Sequence, residues 1–134
     1  MRHLRVVAAL LSQGTEEPRR YLVQQRLPHA SRANLWEFPG GKVEEGESDE
    51  AALVRECREE LAVEIAVGAR RWSTTHQYDD LTVELLVYEA TILSGVPQPL
   101  GAQALAFSSG NEMRALPFCE ADLPLVEALA RGAL

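Results

Sequence analysis

Hydrophobic spacing divides the chain into extended runs and two helical stretches. Leu4–Leu11 is β-branched and apolar, the pattern of a strand buried on both faces. Ser12–Arg19 is polar with a Gly and a Pro, which predicts a turn, and Tyr21–Gln25 is a second short strand. Leu27–Asn34 reads as a loop. Leu35–Phe38 is short and aromatic, and Pro39-Gly40-Gly41 breaks it. The period then changes. Ser48 is a good N-cap, Asp49 and Glu50 sit where the helix dipole favours acids, and Ala51, Val54, Cys57 and Leu61 recur as an apolar stripe. The spacing predicts a helix over Asp49–Leu61. Val63–Val67 and Arg71–Gln77 look extended, Leu81–Leu93 alternates as a long strand, Gly95–Pro99 is a turn and Ala104–Phe107 a short strand. Glu120–Arg131 is predicted as a last helix with Leu123, Val126, Leu129 and Ala130 on one side. Strands interleaved with two helices imply a layered α/β or α+β domain.

Composition narrows the class. The 134 residues are 46% apolar and 25% charged, the balance of one globular domain spanning 1–134 rather than of a disordered or collagen-like chain. Net charge is −7, which argues against nucleic-acid polymers and anionic membrane surfaces as partners. A divalent cation between protein and phosphate removes that objection for a nucleotide. Cys57 and Cys119 lack metal-ligand spacing and read as reduced core residues in a cytoplasmic protein. The start Met1-Arg2-His3-Leu4-Arg5 has the charge of a leader, but a short apolar run with no small-residue cleavage pattern favours a first strand. Monomer and homodimer both remain open.

The chemistry concentrates in Gly41–Val63. Glu56 and Glu60 lie four apart and share a helix face, with Glu59 beside them, on an edge expected to lie opposite the Val54, Cys57 and Leu61 stripe. Like charges at this spacing cost a helix about a few tenths of a kcal/mol per pair. Arg55 and Arg58 offset part of that, and a hard cation such as Mg²⁺ or Mn²⁺ would offset more. Gly40-Gly41 allows a tight approach that can aim carbonyl oxygens at a metal. Taken alone, an acidic helix face is most often merely solvated.

The spacing changes those odds. The segment resembles the signature of the Nudix hydrolases, G-x5-E-x7-R-E-U-x-E-E-x-G-U with U a bulky aliphatic. Gly41, Glu47, Arg55, Glu56, Glu59, Glu60 and Val63 fall on its positions, so seven of nine match across 23 residues. Cys57 and Ala62 depart from it. Ala62 stands where the signature has a glycine, and a left-handed backbone there would cost Ala about 1 kcal/mol. The resemblance extends to Gln24-Gln25-Arg26 and Leu35–Lys42, which look like the MutT-like branch, and to Ala121–Leu125, which looks like the end of the bacterial CTP and oxidised-nucleotide (8-oxo-dGTP) pyrophosphohydrolases. Residues 95–115 fit worst.

The resemblance implies an α/β/α sandwich around a mixed sheet. It implies metal binding by Glu56, Glu59 and Glu60 with the Gly40 carbonyl, oriented by Glu47 and Arg55. It implies hydrolysis of a nucleoside triphosphate, of cytosine or oxidised-purine type, to monophosphate and pyrophosphate. Arg26 is then expected at phosphate or ribose, although a surface Arg at a strand end is an equal reading. Phe38 is expected against the base, with core packing the alternative. Asp122 is expected at the base edge, with a dipole-favoured first-turn acid the alternative. MutT-like enzymes carry a further loop Glu where this chain has Gly101 or Ala102. Gln103 or Glu112 approaching the site, or base work by Glu60 or Glu56, would compensate. Tyr78 suggests a second stacking platform, as in dinucleoside polyphosphate hydrolases, with His76 and Gln77 as possible pocket lining. A nucleotide-binding module with weakened catalysis is the other alternative.

Overall fold

The computed structural model describes residues 2–134, so Met1 lies outside the described residues. The leading apolar run becomes β1 (Arg2–Gln13), followed by β2 (Arg20–Gln25), β3 (Trp36–Glu37), β4 (Gly40–Lys42), α1 (Asp49–Leu61), β5 (Glu64–Gln77), β6 (Leu81–Ser94), β7 (Ala104–Ser108), α2 (Gly110–Met113) and α3 (Leu123–Ala130). The sheet order is β3-β2-β1-β6-β5, with β4 pairing with β1 and β7 with β2. β1 runs parallel to β6 and antiparallel to β2 and β4, so the sheet is mixed.

Alternation along β1 explains its apolar character. Val7, Ala9 and Leu11 pack with Ala52, Leu53, Cys57 and Leu61 of α1, while Ala8 and Leu10 pack with Met113, Leu125 and Val126. The sheet therefore lies between α1 and the α2–α3 layer, in agreement with the α/β/α expectation. Both cysteines are free and buried, and burial pushes each thiol up to about 12. Among the described residues, no helix is long and apolar enough to cross a membrane.

Several elements differ from the sequence reading. The buried face of α1 is Ala52, Leu53, Cys57 and Leu61, with Ala51 exposed, so the stripe is rotated from the expected one. The two extended pieces at 63–77 are one strand, interrupted by register shifts between Val67 and Trp72 around Gly68. The last helix begins as a 3-10 turn at Glu120–Asp122; Leu125 is fully buried, whereas Leu123 is 45% exposed.

Helix α1 is fixed at both ends. Ser48 accepts a hydrogen bond from the Ala51 N–H, and Asp49 is gripped by the Arg5 guanidinium and by the Tyr88 hydroxyl at 2.6 Å. At the far end, Ala62 has φ 59° and ψ 36°, the left-handed cap that the signature assigns to glycine. Ala62→Gly is therefore expected to raise stability by about 1 kcal/mol, read as a thermal midpoint a few degrees higher.

Candidate active site

Arg55 organises the acidic edge of α1. Its guanidinium donates to both Glu47 oxygens at 2.7 and 2.9 Å, to Glu56 at 2.9 Å, to Glu59 at 3.4 Å and to the Lys42 carbonyl at 3.0 Å. The Arg55 fork, helped by the Glu44 N–H, lowers the Glu47 carboxyl to about 2. The Lys42 carbonyl faces away from β1. Alternation along the β4 ladder turns the Gly40 carbonyl to the same side. The two glycines are required by close approach: a Cβ at Gly40 would run into the Val7 carbonyl, and one at Gly41 into the Glu56 carboxylate.

The three helix carboxylates are not equivalent. Glu56 is largely buried and Glu60 half-buried beside it, whereas the Glu59 side chain is 60% exposed. Glu56 and Glu60 thus flank the buried face of α1 rather than lying opposite it. Burial first, then the neighbouring Glu56 charge, pushes Glu60 up to about 7, while the Gln24 amide pulls it down. A hard divalent cation is suited to displace a proton held between two crowded carboxylates. Among the described residues, no three His, Cys, Asp or Glu side chains form a ready-made cage. Mg²⁺ usually binds through one or two carboxylates and completes its shell with water and substrate phosphate. Glu56 and Glu60 fit such an ion, with the Gly40 carbonyl and Glu59 at hand.

A second group of residues lies beyond Glu60. Gln24 donates from Nε2 to Glu60 at 3.4 Å and to Glu37 at 3.1 Å, and Arg26 holds the other Glu37 oxygen at 3.0 Å. The same Arg26 is braced by the Ser31 carbonyl and hydroxyl. Burial pushes the Asp122 carboxyl well above the usual carboxylate range; the Glu37 charge adds to this and Arg26 opposes it. Asp122 is 6% exposed and stands at the N-terminus of α3 without a capping hydrogen bond from its side chain. Arg26 and Asp122 therefore share an electrostatic neighbourhood with Glu37, and Arg26 also feels the Glu60 charge.

Phe38 and Tyr78 do not stand free. Phe38 is 4% exposed and packed against Phe118, with ring centroids 5.7 Å apart, so core packing rather than an open base platform describes it. The Arg32 guanidinium covers the Tyr78 ring at 3.8 Å, the His76 ring meets it at 4.5 Å, and the Tyr78 hydroxyl accepts from the Ala121 N–H. His76 also contacts Glu120 at 3.1 Å. Gly101 packs on the Glu60 side chain. Gln103 instead donates to the Arg26 carbonyl and to Asn34, and Glu112 pairs with Arg20 and caps α2. Neither replaces the missing loop carboxylate. Glu37 and Gln24 were not among the expected site residues; they stand opposite one another only through the β2–β3 register, which the sequence does not display.

Residues 7–128 match the NUDIX domain family model. The chain belongs to the Nudix family. It is a MutT-like Nudix hydrolase, similar to the CTP pyrophosphohydrolase of Escherichia coli (strain K12), with 38% identity over 96% of this chain and 92% of that protein. The 8-oxo-dGTP diphosphatase of the same organism is 27% identical over 98% of this chain and 99% of its own length. Among solved structures, the solution structure of the E. coli ORF135 protein superposes with a TM-score of 0.80 at 36% identity, covering 98% of this Nudix chain and 91% of the other.

Proposed function

We propose that this Nudix hydrolase cleaves a nucleoside triphosphate to the monophosphate and pyrophosphate with Mg²⁺ or Mn²⁺, and that it removes aberrant nucleotides from the cytoplasmic pool. The carrying observation is the run of hydrogen bonds from Glu60, through Gln24 and Glu37, to Arg26, with Glu56 crowding Glu60 at one end and buried Asp122 within electrostatic reach of Glu37 and Arg26 at the other. Phosphates belong at the first end and the nucleoside at the second.

In this reading Glu56 and Glu60 hold the ion, with Glu59 and the Gly40 carbonyl completing the set. Glu47 acts through Arg55, which fixes the carboxylates in place. Held there, such an ion would supply charge neutralisation at the phosphate oxygens and a more acidic water. The freer of the Glu56 and Glu60 oxygens takes the proton as water attacks phosphorus. Arg26 faces ribose or phosphate. Burial raises the Asp122 carboxyl well above the usual range, and in its protonated form it would donate one hydrogen bond and accept another at the base edge, as cytosine N3 and N4 require. A cytosine nucleotide is placed ahead of an oxidised purine on the hydrogen-bonding pattern a protonated Asp122 would offer; the similarities do not rank the two bases, since a relative named CTP pyrophosphohydrolase is 38% identical and one named putative 8-oxo-dGTP diphosphatase 2 is 37% identical. The covered Tyr78 ring favours no second base, so the dinucleoside polyphosphate reading is set aside.

Pyrophosphate release from CTP, dCTP, 5-methyl-dCTP, 8-oxo-dGTP and GTP with Mg²⁺ tests this. Highest kcat/KM on a cytosine nucleotide is expected. Metal-dependent binding without release from any of them would favour the weakened module instead. Asp122→Asn keeps one donor and one acceptor, so it is expected to hold kcat/KM within a few-fold, while Asp122→Ala loses about 10-fold or more with discrimination between bases. Equal losses in the two variants would show that a charged carboxylate is what the base requires.

A further inference from the structure

Gln24 is out of place as a core residue. It sits on β2 after Leu22 and Val23, is 2% exposed, and lies opposite Glu37 in the β2–β3 register. An apolar side chain would fill such a position without burying an amide. Its Nε2 carries two N–H groups and reaches one carboxylate with each, Glu37 at 3.1 Å and Glu60 at 3.4 Å. This bridge is what joins the two ends of the site. The Gln24 Oε1 atom is buried and has no hydrogen-bond partner among the described residues. Buried amide oxygens are rarely left this way, and an unpaired one points to a donor that arrives with a ligand or its water.

We propose that Gln24 is a positioning residue which orients Glu60 for the divalent cation and ties it to Glu37 on the nucleoside side, its unpaired Oε1 accepting from a water that enters with the ion. The inference rests on the metal site described under Proposed function. A neutral amide suits the task because it donates to both carboxylates without adding charge beside a cation. An arginine or lysine there would compete with the ion. An acid would add a third repelling carboxylate. Gly101 lies near the Glu60 side chain, and a Cβ there would come within 3.2 Å of Glu60 Cγ.

The test uses Gln24→Met, similar in length and free of hydrogen bonds. Mn²⁺ affinity is read by electron paramagnetic resonance of the free ion, kcat and KM by pyrophosphate release, and folding by circular dichroism and a metal-free melt. The expected result is a folded protein with Mn²⁺ affinity and kcat each down about 10-fold or more, in the range typical of residues that orient metal ligands. Glu37→Leu removes the acceptor from the other half of the bridge, and the double variant is expected to bind Mn²⁺ no more weakly than Gln24→Met alone. Wild-type Mn²⁺ affinity and kcat in folded Gln24→Met, or single effects that multiply in the double variant, would overturn the proposal. Should Gln24→Met fail to fold, Gln24→Leu with the same readouts decides. Glu60→Gln is the control. If it loses Mn²⁺ while Gln24→Met does not, only the role of Gln24 fails; if both bind normally, the metal site fails with it.

Discussion

Glu60→Gln is expected to lower turnover by more than about 100-fold while making the metal-free protein more stable near pH 8. Both effects have one origin. Glu60 is crowded against Glu56 in a poorly solvated position, and its carboxyl rises from the ordinary 4.5 to about 7. The folded state therefore binds a proton more tightly than the unfolded chain. The benefit of that proton is complete below pH 4.5 and is lost as pH rises through about 7. Glutamine carries no such charge, so the variant outlasts the wild type above pH 7, and the gap closes below pH 4.5. Glu60 is partly exposed, so solvent screening limits the gain to a thermal midpoint about 2–4 °C higher. Added Mg²⁺ reverses the order, because it stabilises only a protein that binds it. Melts with and without Mg²⁺ at two pH values, alongside pyrophosphate release, give the comparison. A variant that keeps turnover would remove Glu60 from the site.

Arg55→Ala is the second large effect, and its sign on stability is opposite. The guanidinium holds Glu47, Glu56, Glu59 and the Lys42 carbonyl together, so its loss frees three acids to repel and leaves a carbonyl without its donor. Turnover is expected to fall about 10–100-fold through misplaced carboxylates. The melting midpoint falls as well, with a defined pH dependence. Arg55, with the Glu44 N–H, lowers Glu47 from 4.5 to about 2, so the stabilisation is complete above pH 4.5 and disappears as pH drops through about 2. Wild type and Arg55→Ala should thus differ most at neutral pH and converge in acid. Arg55→Lys keeps the charge without the two-pronged geometry and is expected to recover only part of either loss. Full recovery by lysine would mean that charge alone, not the fork, aligns the carboxylates.

Parts of this molecule were legible because one local signal settled each of them. Ser48 with the stripe through Cys57 and Leu61 located α1, and the double-sided burial of β1 followed from its apolar run. Ala62 was expected to pay for a left-handed backbone, and it adopts one. Other parts depend on partners distant in sequence. The register shifts around Gly68 only make sense against β6, so β5 was read as two pieces. The four-residue α2 is too short to show a period, though its Ser109–Glu112 capping box was present to be read. The resemblance put Phe38 against the base with core packing as the alternative, and Phe118, eighty residues along, takes it into the core. Glu37 and Gln24 gain their meaning from strand pairing that puts them beside Glu60, which periodicity along a single strand does not reveal.

The most direct test is anomalous diffraction from crystals soaked with Mn²⁺ and a non-hydrolysable nucleoside triphosphate analogue. A Mn²⁺ peak bonded to carboxylate oxygens of Glu56 and Glu60 and to the analogue's phosphates, with the base beside Asp122, is the predicted result. Mn²⁺ and phosphates bound away from α1, with Glu56 and Glu60 ligating nothing, would contradict it.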